Sequence, residues 1–129
     1  MATILAIDWG SRRIGIARAN TVARLAEPLS TIDNTDTAIA RIQQLAESEN
    51  VDTIVVGLPR NLSGEETQQT HAVRDFVRLL EDELQCQIVM HDETLSSQVA
   101  DELKQRFPNS SIDSRSATII LDDYLGSHI

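Results

Sequence analysis

The spacing of three short, apolar segments rich in β-branched residues constrains the fold of this chain most strongly. Residues 3–9 (TILAIDW), 52–58 (DTIVVGL) and 87–91 (QIVMH) have the length of strands rather than of helices. Continuous apolar runs of this kind are typical of strands covered on both faces of a sheet. Helical patterns lie between these segments, so the sequence predicts an α/β fold.

Two further strands precede the first helix. Residues 14–20 (IGIARAN) follow a glycine turn and should form a hairpin with residues 3–9. A third short strand is expected at Val22–Leu25 or at Leu29–Ile32, interrupted by Pro28. An antiparallel meander followed by alternating strands and helices predicts a mixed five-stranded sheet flanked by helices.

Four helices are predicted from apolar residues spaced three and four positions apart. Asp33 or Asn34 should cap the first, Ser63 the second, and a residue near Ser96 the third. The last should run from about Ile112 to Leu125. The element order is then β-β-β-α-β-α-β-α-α, and 129 residues suit a single domain spanning 1–129.

The net charge of −9, from 11 basic and 20 acidic residues, argues against nucleic acid as a partner. Nucleic-acid binding usually depends on a basic surface. The charges are unevenly distributed, however. Between Trp9 and Ala26 there are four arginines and no acid (Arg12, Arg13, Arg18 and Arg24). The sequence therefore predicts a local basic strip on an acidic protein.

Cysteine content and hydropathy indicate the compartment. Cys86 is the single cysteine, so no intrachain disulfide can form, and we interpret it as a small core residue. No stretch approaches the roughly 18 apolar residues of a membrane span. We expect a cytoplasmic protein with no membrane partner.

Three carboxylates stand where strands or helices should begin or end. Asp8 lies in an apolar strand, on the same face as Ile4 and Ala6, where a charge is costly unless it is paired or binds a metal. Glu93 directly follows the strand at 87–91. Asp113 opens the last helix, on the same face as a set of apolar residues (Ala117, Ile120, Leu121 and Tyr124).

Each of these acids also has an ordinary interpretation. Asp8 could form a turn or pair with an arginine of the following loop. Glu93 could be a solvated acid before a helix, with Asp92 as the neighbouring candidate, and Asp113 a capping or first-turn acid. A shared divalent cation accounts for all three together, because carboxylates brought close repel one another unless a cation neutralises them. Hard oxygen ligands of this kind suit Mg²⁺.

Two loops offer groups that could meet a phosphate. The first contains Gly10, Arg12 and Arg13, and an ordinary hairpin turn would use similar residues. The second follows the strand at 52–58 and contains Arg60 and Asn61, although a surface loop is its simpler interpretation. We select Arg12, Arg13 and Asn61 as substrate-binding candidates, with Arg60 as a further one.

At these residues the chain resembles the YqgF-type family of bacterial nucleases, which are Holliday-junction-resolvase-like or process pre-16S rRNA. The resemblance covers nearly the whole chain, in the family's order. Four stretches carry it: IDWGSRRIGIA (7–17), VVGLPRNLSG (55–64), HDETLSS (91–97) and SIDSRSATIILDDYL (111–125). Two positions depart from the family pattern: Thr94 stands where many members have arginine, and the segment before Asp113 lacks the usual glycine and basic residues.

The resemblance implies a ribonuclease-H-like fold whose first three strands are antiparallel. It also implies metal-dependent cleavage of structured nucleic acid, either precursor rRNA in ribosome biogenesis or branched DNA. By motif match, the metal-binding and catalytic acids fall on Asp8, Glu93 and Asp113. We expect Mg²⁺ as the cofactor, with Mn²⁺ able to replace it, and a monomer or homodimer.

Two other functions remain open from the sequence. The acidic charge would suit a non-catalytic binding module of the ribosome or the transcription machinery. The motif DWGSRRIG (8–15) also resembles the phosphate loop of actin-like and sugar kinases, which would indicate nucleotide hydrolysis. Those enzymes use two such domains around a cleft, and this chain has the length of one.

Overall fold

A computed structural model describes residues 2–92 and 97–128, with the backbone alone for residues 97–100 and 128. The strands in this part of the chain are β1 (Thr3–Trp9), β2 (Arg13–Asn20), β3 (Glu27–Asp33), β4 (Val51–Leu58) and β5 (Gln87–Asp92). The helices are α1 (Ala38–Ser48), α2 (Gln68–Glu83), α3 (Ser97–Arg106) and α4 (Ile112–His128). The element order agrees with the order predicted from the sequence.

The five strands form one mixed sheet in the order β3-β2-β1-β4-β5. The first three are antiparallel neighbours, whereas β1, β4 and β5 run parallel to one another. The predicted mixed sheet with an antiparallel start is therefore confirmed. Because β1, β4 and β5 are parallel, their carboxyl ends lie at the same edge of the sheet, which we call the carboxyl edge.

Helices cover both faces of the sheet, and alternating residues of β1 show the two layers. Leu5 and Ile7 pack in a core formed with α1 and α2. Ile4 and Ala6 point to the opposite face and pack against α4. Helix α3 packs on α4. Among the described residues, no helix is both long enough and apolar enough to span a membrane.

The third strand lies at the second of its two expected positions. Val22–Leu25 is not a strand: it begins in a turn, and its Val22 and Leu25 side chains are exposed. Pro28 does not interrupt β3, because β3 is an edge strand and Pro28 pairs with Ala17 where the register shifts. A proline is tolerated at such a bulge, since its missing N–H costs no ladder hydrogen bond there.

Two predicted helix caps are wrong. Thr37, not Asp33 or Asn34, occupies the N-cap of α1, and no side chain bonds there. The N-cap of α2 is Thr67 rather than Ser63, and it forms a capping box with Thr70. Capping box geometry satisfies two backbone N–H groups at once, which a single serine earlier in the loop could not do. The cap expected near Ser96 lies outside the described residues.

Gly15 allows α4 to begin in direct contact with the sheet. It is buried in β2, where it pairs with Asp8 of β1. A Cβ atom built on Gly15 would lie 1.9 Å from the carbonyl oxygen of Asp113 and 2.8 Å from the amide nitrogen of Ser114. Only glycine leaves room for this approach, so one residue fixes where the first turn of α4 lies.

We predict that Gly15→Ala lowers the free energy of unfolding by about 1–3 kcal/mol, because overpacking must displace the first turn of α4. The matched control is Gly126→Ala, which lies in the same helix with no atom within 4 Å of the added Cβ. That variant should gain about 0.5–1 kcal/mol from helix propensity. Urea unfolding of both variants measures the difference, and equal stability of the two would contradict the close-contact account.

Candidate active site at the carboxyl edge

Asp8 lies near the carboxyl end of β1 and is half-buried. By strand alternation it shares a face with Ile4 and Ala6, which pack against α4. Its register partner Gly15 contacts α4, so Asp8 lies on the face of β1 that α4 covers. Asp8 makes an interaction in the structure, so it is not without a partner.

Asp113 reaches the same place from the far end of the sequence. Its backbone lies on Gly15, the register partner of Asp8, so the two acids occupy adjacent positions of the sheet and of the helix above it. Asp113 is in the first turn of α4. It does not cap the helix, because the hydroxyl of Ser111 accepts the hydrogen bond from the amide of Ser114.

One arginine binds Asp113. The Arg13 Nε donates to Oδ2 of Asp113 at 3.1 Å, with the arginine side chain 61% exposed and the carboxylate 31% exposed. The sequence allowed an ion pair between Asp8 and an arginine of the following loop. In the structure, Arg13 of that loop pairs with Asp113. An exposed pair of this kind contributes only about 0–1 kcal/mol, so a divalent cation can compete for the carboxylate.

Glu93 lies outside the described residues, and its place in the site stays a prediction. Its neighbour Asp92 ends β5 at the carboxyl edge, where it pairs with Leu58 of β4. Asp92 accepts a hydrogen bond from Arg60 Nε at 3.1 Å. Within residues 2–92 and 97–128, no three or more potential ligands among histidine, cysteine, aspartate and glutamate cluster as a metal site would require.

The turn between β1 and β2 is tight and is hydrogen-bonded to Asn34. A Cβ on Gly10 would lie 2.6 Å from the carbonyl oxygen of Arg13, so the turn is tight. Asn34, the residue after β3, makes both bonds: its Nδ2 donates to the carbonyl of Gly10 at 2.7 Å, and its backbone N–H donates to the carbonyl of Arg12 at 2.9 Å. The sequence indicated Asn34 only as one of two candidate caps for α1, because its contact with the turn depends on the register of β3.

The predicted basic strip is shorter than expected. Arg12 and Arg13 are exposed at the carboxyl edge. Arg18 lies farther along β2 and is engaged by Glu27 at 2.7 Å and by Glu49. The Glu27 hydrogen bond is the larger of the effects that raise the pKa of Arg18. Only the first two arginines of the strip therefore present charge beside Asp113.

Asn61 shapes the loop that follows β4. Its Oδ1 accepts hydrogen bonds from the backbone amides of Ser63 at 3.0 Å and Glu65 at 2.9 Å. Its own N–H donates to the carbonyl of Glu65. The side-chain oxygen is thus committed to the loop, as in an Asx-turn. Of its polar side-chain atoms, the amide nitrogen is the one left to approach a substrate.

An ion-pair network that the sequence did not predict braces this loop against β5. Arg60 contacts Asp92 and, at 3.8 Å, Glu66. Arg74 of α2 binds both oxygens of Glu66, at 2.8 and 3.0 Å, and this contact lowers the pKa of Glu66. Because that pKa is lowered on folding, the stabilisation is present at neutral pH and is lost as the pH falls through the lowered value.

His91 joins β5 to α4 near the same edge. Its Nε2 lies 2.5 Å from Oδ2 of Asp123, and its ring packs edge-on to Tyr124 with centroids 5.8 Å apart. These contacts tie β5 to α4 two residues before Glu93 in the sequence.

Comparison with known proteins identifies the family. The model of the RuvX family, described as Holliday junction resolvase, matches residues 2–127. The chain belongs to the RuvX family. Two relatives carry the name "Putative pre-16S rRNA nuclease". The one from Chloroflexus aurantiacus is 41% identical over 95% of this chain and 85% of its own length, and the one from Fusobacterium nucleatum is 34% identical over 97% of both.

Solved structures confirm the fold of this RuvX-family chain. The Thermus thermophilus RuvC structure aligns with a TM-score of 0.65 at 12% identity, covering 97% of this chain and 95% of that one. The Fowlpox virus resolvase, solved with Holliday junction DNA, aligns with a TM-score of 0.63 at 10% identity, covering 97% of each. The ribonuclease-H-like fold expected from the resemblance is confirmed.

We predict that Asn61→Ala opens the loop after β4, because two backbone amides lose their shared acceptor. Amide hydrogen exchange at Ser63 and Glu65 should quicken about five- to tenfold, in line with the loss of one net hydrogen bond. Asn61→Asp retains the acceptor oxygen and should keep both amides protected. Equal exchange rates in the two variants would contradict the assigned role.

Proposed function

We propose that this RuvX-family chain is a metal-dependent nuclease that hydrolyses phosphodiester bonds of structured nucleic acid. Precursor 16S rRNA in ribosome biogenesis or a Holliday junction would be its substrate, and the cytoplasm its compartment. The observation that carries the proposal is the approach of Asp113 to Gly15, the register partner of Asp8. Two acids that are 105 positions apart in the sequence are thereby delivered to one edge of the sheet.

The donor set of the proposed site suits a hard divalent cation. Asp8 and Asp113 supply carboxylate oxygens, and Glu93 follows β5, whose carboxyl end lies at the same edge. We assign Mg²⁺ to these three residues, with Mn²⁺ able to replace it and one or two ions per site. When bound, the cation supplies charge that stabilises the leaving oxygen and activates a water nucleophile, so no covalent enzyme intermediate is needed.

The chain's own basic groups would hold the substrate. Arg12 and Arg13 project from a turn that Gly10 and Asn34 keep rigid, so they can bind phosphates without first ordering the loop. The ion pair of Arg13 with Asp113 supports a role for its guanidinium in binding the scissile phosphate. Asn61 contributes through its amide nitrogen, while Arg60 is engaged with Asp92.

Replacement of an assigned metal ligand tests the proposal. Asp8→Asn and, separately, Glu93→Gln should reduce Mg²⁺- or Mn²⁺-dependent cleavage of precursor rRNA or branched DNA by at least about a thousandfold, because each removes a charge that holds the cation. Circular dichroism should show an unchanged fold.

The control is Asp52→Asn. Asp52 is exposed at the amino end of β4, at the opposite edge of the sheet, and its replacement should leave cleavage unaltered. Undiminished cleavage by Asp8→Asn would refute the site, and equal loss in all three variants would indicate a general effect of charge.

Arg13 should affect metal and substrate in opposite directions. We predict that Arg13→Gln lowers the Mg²⁺ concentration needed for half-maximal activity by up to about fivefold, since an exposed ion pair worth up to about 1 kcal/mol no longer competes for Asp113. The same change should raise KM for nucleic acid, because a phosphate contact is lost.

Arg12→Gln is the matched control for Arg13→Gln. Arg12 is exposed in the same turn, and the ion pair with Asp113 is made by its neighbour. This variant should raise KM without changing the Mg²⁺ requirement. A metal titration of both variants separates the two effects, and identical Mg²⁺ curves would argue against competition at Asp113.

The acidic charge of the chain favours a second candidate function, that of a binding module for the ribosome or transcription machinery. A net charge of −9 favours a basic protein partner over a polyanion. Cleavage of no substrate by the wild-type protein with either Mg²⁺ or Mn²⁺, together with stable association with such a partner, would favour this function over hydrolysis.

A further inference from the structure

An uncharged groove of about 360 Å³ lies between the edge strand β3 and the turn that leads into α4. We call it the serine groove. None of its lining residues is charged: Pro28 and Leu29 are apolar, and the others carry hydroxyl or amide groups, namely Ser30, Thr31, Asn109, Ser110, Ser111 and Ser114. This neutrality is unusual for a nuclease surface, where phosphates are normally met by arginine and lysine.

The groove is held in shape by its own hydrogen bonds. The hydroxyls of Thr31 and Ser111 bond to each other across the gap between β3 and α4. The hydroxyl of Ser110 donates to the carbonyl of Phe107 at 2.6 Å and accepts a hydrogen bond from Arg115 Nη1 at 3.2 Å. Arg115 is half-buried and so supports the turn rather than facing solvent.

Capacity for further hydrogen bonds remains on the open side. A hydroxyl has one donor and two acceptor sites, and the Thr31 hydroxyl uses only one of these on Ser111. Asn109 is exposed, so its side-chain amide can offer both a donor and an acceptor to a ligand. The wall can therefore both donate to and accept from a small neutral group.

The register of the sheet places this wall at a fixed distance from the catalytic acids. Asp8 pairs with Gly15, and Gly15 pairs with Thr31, so the three residues form one row across β1, β2 and β3 on the α4 face. Neighbouring strands are about 4.8 Å apart, which puts the groove about 10 Å from Asp8. A stacked strand rising about 3.4 Å per nucleotide covers that distance in about three nucleotides.

We propose that the serine groove is a ribose subsite that recognises the 2′-hydroxyl of an RNA strand a few nucleotides from the cleaved bond. The 2′-hydroxyl is a neutral donor and acceptor, which matches the chemistry of the wall, and it distinguishes RNA from DNA. A phosphate subsite would serve both nucleic acids equally. The inference rests on the proposed nuclease function and selects RNA as its substrate class.

Binding without metal tests the subsite separately from catalysis. Fluorescence anisotropy in EDTA compares RNA and DNA hairpins of the same sequence, each with a single-stranded tail. Wild-type protein should bind the RNA more tightly. Asn109→Ala should weaken RNA binding about three- to tenfold, the range expected for one or two hydrogen bonds, and leave DNA binding unchanged.

A single ribonucleotide moved stepwise through the DNA hairpin locates the subsite. Affinity should rise at one or two positions, and Asn109→Ala should abolish that rise. Thr31→Val removes a groove hydroxyl at constant shape and should act in the same direction. Ser127→Ala is the control, because that hydroxyl bonds to the carbonyl of Asp123 near the other end of α4.

The outcomes separate this inference from the nuclease proposal. Equal affinity of the wild type for RNA and DNA, or an Asn109→Ala variant that weakens both equally, overturns the ribose subsite even if cleavage occurs. An RNA preference that depends on Asn109, in a protein that cleaves nothing with Mg²⁺ or Mn²⁺, supports the subsite and refutes the hydrolytic function.

Discussion

The contact between Gly15 and the first turn of α4 is the constraint on which the site depends. One face of β1 and β2 carries small residues, namely Ala6, Gly15, Ala17 and Ala19, so a helix can lie unusually close to the sheet. That closeness brings the backbone of Asp113 to the strand position paired with Asp8. A larger residue at Gly15 would hold the helix away and separate the acids, whatever their own chemistry. The proposed site therefore depends on the close packing of α4 against the sheet.

The strands and their order were predictable because burial on both faces leaves a continuous apolar signal. The helix starts were not, since capping depends on local geometry that several nearby polar residues could adopt equally well. Thr67 caps α2 because it forms a capping box with Thr70. The backbone amide of Ser63, earlier in the loop, donates instead to the side-chain oxygen of Asn61. Pro28 was expected to interrupt a strand, as it would in the interior of a sheet. It does not interrupt β3, because it lies at the bulge of an edge strand.

The candidate site was predictable to the extent that its chemistry is local. The position of Asp8 within an apolar strand, and of Asp113 above an apolar stripe, is visible in the sequence. Partner choice is not: Arg13 with Asp113, Asn34 with the turn at Gly10, and Arg60 with Asp92 each join segments that are distant in the sequence. Glu93 lies beyond the described residues, so the third ligand remains an inference from motif and strand end.

The negative charge of this chain should make nucleic-acid binding depend on metal binding. Several arginines are consumed by internal pairs, since Arg18, Arg60 and Arg74 each contact at least one carboxylate. The proposed ligands add negative charge at the very edge where a phosphate must approach. A divalent cation there would remove repulsion among the acids and between the acids and the phosphate, so metal and nucleic acid should bind cooperatively. The same reasoning explains why a neutral, hydroxyl-lined groove is useful beside this site: it gains affinity from the sugar, whose recognition does not oppose the net charge of the protein.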